Sequence, residues 1–377
     1  MSNVNHTDAQ LGSLQTRALL VGVVSLVLCG IWALFDRTTA LSGYLTAFLF
    51  WWGIAFGSLG LLMLNHLVGG GWGYATRPLL AAGATTMPLL AVLFVPIGLQ
   101  LPVLYPWARP ELVAADELLQ GKAIYLNGGF FWGRAIAYFV VWTGLAWSFS
   151  RQAVFTKTQA TPTHVNAAVS GLGLILLVFT VSFASIDWAM SLQPHWYSTI
   201  YGALFLAGGG VSAFALLISL VAGYHTVGPC DRDPAISTLH DLASLLLAFL
   251  LIWAYFAFSQ YLIIWSANLP QEVVWFQDRL QGGWQWIALL IVLLHFVVPF
   301  LLLLSRERKR DARAMSRVAC LVLIIHYLDV YWHVIPAFSP GTSAGLRVSL
   351  VDCIAPLGVG GIWLFVFLRS LRVRLAQ

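Results

Sequence analysis

The stretch LVLIIHYLDVYWHVIPAF, residues 321–338, sets His326, Asp329 and His333 in a run that is otherwise mostly apolar and aromatic. Successive residues of an α-helix advance by about 100° and rise about 1.5 Å, so the three lie within about 60° of one another, as a ladder on one face. A charged group at a bilayer centre is costly, about 2.5–3.5 kcal/mol for Asp on insertion scales, so groups kept there mark candidate proton, ion or ligand paths. His295 lies ten residues before Ser305 and His326 nine after Arg317, so antiparallel neighbours would bring the two imidazoles to one depth. Imidazoles and a carboxylate on one stripe supply the titratable steps of a proton relay. Two other readings stay open: a b-type haem between His295 and His326, and a polar set that neighbouring helices satisfy and that only fixes packing. The ladder alone makes a poor metal site, because its ends stand about two helical turns apart.

Further polar groups sit nearer the ends of apolar runs. His240 and Asp241 open one run at its inner end and are the candidates for a cytoplasmic entrance to the ladder, since span nine offers only Cys320 below His326. Arg134, Asp187 and Asp352 lie at outer ends, where Arg134 could pair with either carboxylate and where capping or an interfacial ion pair accounts for such residues.

These groups need elements to hold them, and the composition says which kind. The chain has 377 residues, 59% hydrophobic and 9% charged, with mean hydropathy +0.82; a soluble domain carries roughly 25% charged residues. Windows of about 20 apolar residues mark ten spans, near 17–35, 43–66, 78–103, 129–150, 166–187, 197–222, 239–265, 283–305, 317–335 and 348–369. Long continuous apolar runs, rather than short alternating segments, give an all-α polytopic membrane protein and exclude a barrel.

Lys and Arg orient it. The connections on the N-terminal side carry fourteen, six of them in SRERKRDARAMSR (305–317), against five on the other, which places both termini in the cytoplasm. That basic loop reads as a topology determinant, so the formal charge of +5 does not point to nucleic acid. The outer connections, 104–134, 187–199 and 265–284, hold much of the Trp, Tyr and Pro, as interfacial anchors or a docking surface. The four cysteines stand far apart, with no C-x-x-C or C-x-x-C-H spacing. Gly208 to Gly210 in span six allow close helix packing.

FASIDWAMSLQPHWYSTIYG (183–202), FAFSQYLIIWSANLPQEVVWF (256–276), HFVVPFLLLLSRERKR (295–310) and YLDVYWHVIPAF (327–338) carry a resemblance. In these motifs, and from about span two to span ten, the chain resembles the NrfD/PsrC superfamily, and more closely the ActF-type membrane subunits of bacterial alternative complex III. The resemblance implies ten transmembrane helices in two four-helix bundles, 43–187 (spans two to five) and 197–335 (spans six to nine). A peripheral first helix, 17–35, follows a cytoplasmic segment, 1–16, and a last helix with a basic cytoplasmic tail covers 348–377.

The same resemblance implies a subunit of a quinol:electron-acceptor oxidoreductase in the bacterial inner membrane. Its partners would be multihaem cytochrome subunits, an iron–sulfur subunit, a second NrfD-like subunit and lipid. Haems and iron–sulfur clusters would sit in those partners, with none in this chain and no activity expected of it alone; quinol is the substrate of the complex. The proton route of such subunits would fall here on His326, Asp329, His333 and His295, with His240 and Asp241 at the inner mouth. Arg134, Asp187, His195, Trp196 and Asp352 at the outer edge are candidates for an ion pair or a quinone contact. Two rivals remain: a purely structural anchor of the complex, and a stand-alone secondary transporter.

Overall fold

The computed structural model describes residues 2–151, 164–227, 232–338 and 345–375. They are helical throughout, with no strand among them. The long helices are α1 (Ser2–Phe35), α2 (Arg37–Val68), α3 (Gly71–Ala84), α4 (Met87–Leu99), α5 (Gly128–Arg151), α6 (His164–Trp188), α7 (Tyr201–Val227) and α8 (Arg232–Ala267). A shorter α9 (Pro270–Arg279) precedes α10 (Trp284–Ile291) and α11 (Val298–Leu304), and α12 (Ala312–Val334) and α13 (Leu350–Leu375) close the chain. Among the described residues, nine segments are long and apolar enough to cross a membrane, which makes this a multi-pass membrane protein.

Three departures from the sequence reading have local causes. The segment before residue 17 is continuous with α1, which starts at Ser2. The third span is one segment by length but two helices, because Pro88 lacks the N–H that would bond the carbonyl of Ala84, and the chain turns at Thr85–Thr86. The fourth expected span, α5, has the length at 24 residues but is not among the nine, since Arg134 and three tryptophans (Trp132, Trp142, Trp147) dilute its hydropathy.

Helix α2 is the axis of the fold. Its best apolar window is 83% buried, and it touches α3, α4, α5 and α6 on one side and α7, α12 and α13 on another. The first group is filled with rings: Trp188 meets Phe94 at 4.6 Å, Trp52 at 5.0 Å and Phe139 at 5.7 Å between centroids. Helices α7 and α12 pack with α8, α10 and α11 into a second group, which buries His295, His326, Asp329 and His333 instead. The run Gly208 to Gly210 lets α7 meet three neighbours at once. A Cβ at Gly208 would lie 2.6 Å from the His326 ring, at Gly209 2.2 Å from Phe56 of α2, and at Gly210 2.3 Å from Phe249 of α8. Gly57 answers from α2, where a Cβ would stand 2.0 Å from the Gly209 carbonyl oxygen.

Candidate functional site

The ladder residues of α12 are all 5% exposed and face inward together. Asp329 Oδ2 accepts a hydrogen bond from Trp253 Nε1 of α8 at 3.2 Å and lies 3.6 Å from His326 Nδ1, while Oδ1 lies 3.7 Å from His333 Nδ1. His333 Nδ1 sits 2.8 Å from the Asp329 backbone carbonyl, which makes Nδ1 the N–H and Nε2 the acceptor in the neutral ring. That Nε2 and His326 Nδ1 have no hydrogen-bond partner among the described residues. Buried polar atoms are nearly always satisfied, so orphaned nitrogens in one cluster need a reason.

His295 joins from the neighbouring antiparallel segment. Its ring stacks on His326 at 5.3 Å and 22° and meets Trp253 edge-on at 4.3 Å; it is fully buried and neither ring nitrogen has a partner among the described residues. The local sequence explains its placement. Pro299 stands four residues after His295 and has no N–H for the His295 carbonyl, and the helix widens into a π-turn over Val292–Val297, with the N–H of Val298 reaching Leu293 five residues back. Such turns are frequent at functional sites because the extra residue re-aims a side chain.

A cavity of about 20 Å³ lies beside the cluster, walled by His326, Asp329 and His333, by Leu204, Phe205 and Gly209 of α7, and by Leu49, Gly53 and Phe56 of α2. That is room for one water molecule with polar partners. The 3.6 and 3.7 Å separations exceed a direct hydrogen bond, so a proton would cross them through one water or a small rotation of Asp329. The stacked His295 and His326 rings leave no gap between them for a porphyrin, so this arrangement does not fit a haem ligated by that pair.

Toward the C-terminal end of α12, the cluster is covered. Trp275 of α9 and Trp332 of α12 lie 5.7 and 5.2 Å from the His333 ring, and Trp196 stacks on Trp275 at 4.5 Å and 14°. Arg279 of α9, 1% exposed, donates to the carbonyls of Trp332 and His333 at the end of α12. Burial pulls its pKa down to about 9, which still leaves it a cation at neutral pH.

Other expected residues are placed elsewhere. His240 and Asp241 sit near the N-terminal end of α8, 3.7 Å apart and partly exposed, thirteen residues or about 20 Å along the helix from Trp253, and so outside the cluster. Between them and His326, Ser219 of α7 stands 3.9 Å from Cys320, and Lys309 donates to Ser244 at 3.1 Å. Of its two candidate partners, Arg134 takes Asp187, with two bonds of 2.8 and 2.9 Å, and Tyr138 adds a third at 2.9 Å. Asp352 caps its own helix by accepting from the Ser349 N–H at 2.8 Å. His195 is exposed and bonds Asp116 at 2.6 Å, whereas Trp196 is buried.

Trp253, Arg279 and the π-turn are the parts that sequence reasoning missed. In the sequence Arg279 is one of the five basic residues opposite the termini, and only the His295-x-x-x-Pro299 spacing hints at the turn. Fold and site together define a polytopic helical membrane protein with a titratable cluster buried in one of its two helix groups. No family model matches the chain, and no curated protein matches it.

Proposed function

We propose that the chain is an NrfD-like membrane subunit, of the ActF type, in a bacterial alternative complex III, and that it handles protons through Asp329 and the histidines around it. On this reading it lies in the cytoplasmic membrane with both termini inside and α5 as the tenth span. It assembles with multihaem cytochrome subunits, an iron–sulfur subunit and a second NrfD-like subunit. Quinol oxidation passes electrons to centres in those partners and releases protons, and this chain contributes a route for protons rather than a redox group.

The observation that carries the reading is the composition of the second helix group. A titratable group in a membrane interior is costly unless a partner holds it, as Arg134 holds Asp187 in the first group. The second group instead keeps a carboxylate between two imidazoles, with a third imidazole stacked behind and a water-sized cavity beside them. A proton on this set has a carboxyl oxygen and imidazole nitrogens open to it, which is what a relay requires.

Asp329→Asn in the intact complex keeps the shape of the side chain and removes its proton chemistry. Proton release per electron is expected to fall, with the complex still assembled. Unchanged proton release together with unchanged quinol:cytochrome c turnover would leave the chain a structural anchor. Purification without haem-bearing and iron–sulfur partners would instead favour a transporter.

A further inference from the structure

A buried arginine is ordinarily matched by a carboxylate, because an unpaired charge in a low-dielectric interior is costly. Arg279 is matched differently. Nε donates to Trp332 O at 3.1 Å, one terminal nitrogen to Gln193 Oε1 at 2.9 Å and Trp275 O at 3.0 Å, and the other to His333 O at 2.8 Å. The guanidinium lies 3.7 Å from the centre of the Trp275 ring. Its acceptors are thus peptide carbonyls and one amide, two of them at the C-terminal end of α12, where the helix dipole favours a cation. The titratable groups around it are Asp278 on its own helix, whose carboxylate accepts from Gln193 Nε2 at 3.0 Å, Tyr201 of α7 and His333 of α12.

We propose that Arg279 seals the His–Asp cluster toward the outer face: it ties the end of α12 beneath the Trp196, Trp275 and Trp332 cap, and its fixed charge opposes movement of a proton beyond His333. This rests on reading Asp329 and its histidines as a proton-handling set. Arg279 is then a positioning residue, acting through His333 and the peptide carbonyls of α12. The water-sized cavity lies on the other side of the ladder, against Leu49, Gly53 and Phe56 of α2.

Passive proton leak tests this in proteoliposomes of the purified full chain, read with an internal pH dye under a potassium diffusion potential. Arg279→Gln, which keeps a polar N–H donor but removes the charge, is expected to raise the leak about tenfold, given the strength of a nearby unit charge at low dielectric. Arg279→Lys, which keeps the charge, should leak less than Arg279→Gln. Adding Asp329→Asn to Arg279→Gln should return the membrane to wild-type tightness, whereas mere loosening of the cap would leave the double variant leaky. A tight Arg279→Gln, an equally leaky Arg279→Lys or a leaky double variant overturns the seal. Should Arg279→Gln fail to insert, Gln193→Leu removes one acceptor of the same guanidinium and must raise the leak; a tight Gln193→Leu then overturns the proposal. The relay itself is judged separately, by proton release from the Asp329→Asn complex, so the two readings fail in different experiments.

Discussion

Asp187 and Arg134 show how a residue is held when its charge is structural. The guanidinium meets both carboxylate oxygens, donates to the Tyr125 carbonyl at 2.9 Å, and lies 3.8 and 4.4 Å from the Tyr125 and Phe130 ring centres. Arg134→Met would strand a carboxylate that is 1% exposed, and the loss of one partner of a buried pair costs about 3–5 kcal/mol. A markedly lower melting temperature in detergent is therefore expected. The Arg134→Met, Asp187→Asn double variant should recover much of it, because the stranded charge is gone. Asp329 has the opposite character: one N–H donor, two imidazoles beyond hydrogen-bond length, and no Arg or Lys ion pair among the described residues. The sequence offered Arg134 two partners and could not choose, since Asp187 and Asp352 both end apolar runs at the outer side. What decides is that Asp352 is used by its own helix start.

At the scale of elements, close approach is set by glycine. Gly53 and Gly57 form a G-x-x-x-G face on α2, and Gly209 of α7 lies against it; a Cβ at Gly209 would stand 2.9 Å from the Gly53 carbonyl oxygen as well as against Phe56. Gly209→Val must push α7 away from α2, an overpacking cost of about 1–3 kcal/mol, and it would also disturb the cavity wall. Gly133→Ala on α5 is the control: no heavy atom lies near its added carbon, so its melting temperature should match or exceed that of the wild type. The ladder was legible because periodicity on one helix needs no partner to be read. Trp253 and Arg279 were not, because they reach the cluster from other elements, and sequence distance says nothing about which helix becomes a neighbour. The break at Thr85–Thr86 and the π-turn at His295 follow from Pro88 and Pro299, so proline marked irregular helix more finely than hydropathy did.

Over the whole molecule, the helices differ in how much of the fold depends on them. Helix α1 is the most peripheral, with only 17% of its apolar window buried, and it packs chiefly along α13. The two approach until backbones touch: a Cβ at Gly361 would lie 2.5 Å from Gly22 Cα, and one at Gly22 2.7 Å from the Ile362 nitrogen. Helix α13 is keyed to the core in its own right, through Trp51 Nε1 bonded to the Pro356 carbonyl at 3.0 Å and through Trp51 against Trp363 at 5.0 Å. Gly361→Leu should therefore detach α1 while leaving α13, α2 and the buried cluster in place. Gln15 and Arg372, whose side chains meet at 3.1 Å, report the docking. A Gln15→Cys, Arg372→Cys pair should be bridged by a short bifunctional maleimide in the wild-type background and escape it when Gly361→Leu is added, with the main melting transition shifted by no more than about 2 kcal/mol equivalent. If that transition collapses instead, α1 is integral to the core rather than laid upon it. The His–Asp cluster would then depend on a helix that touches none of its residues.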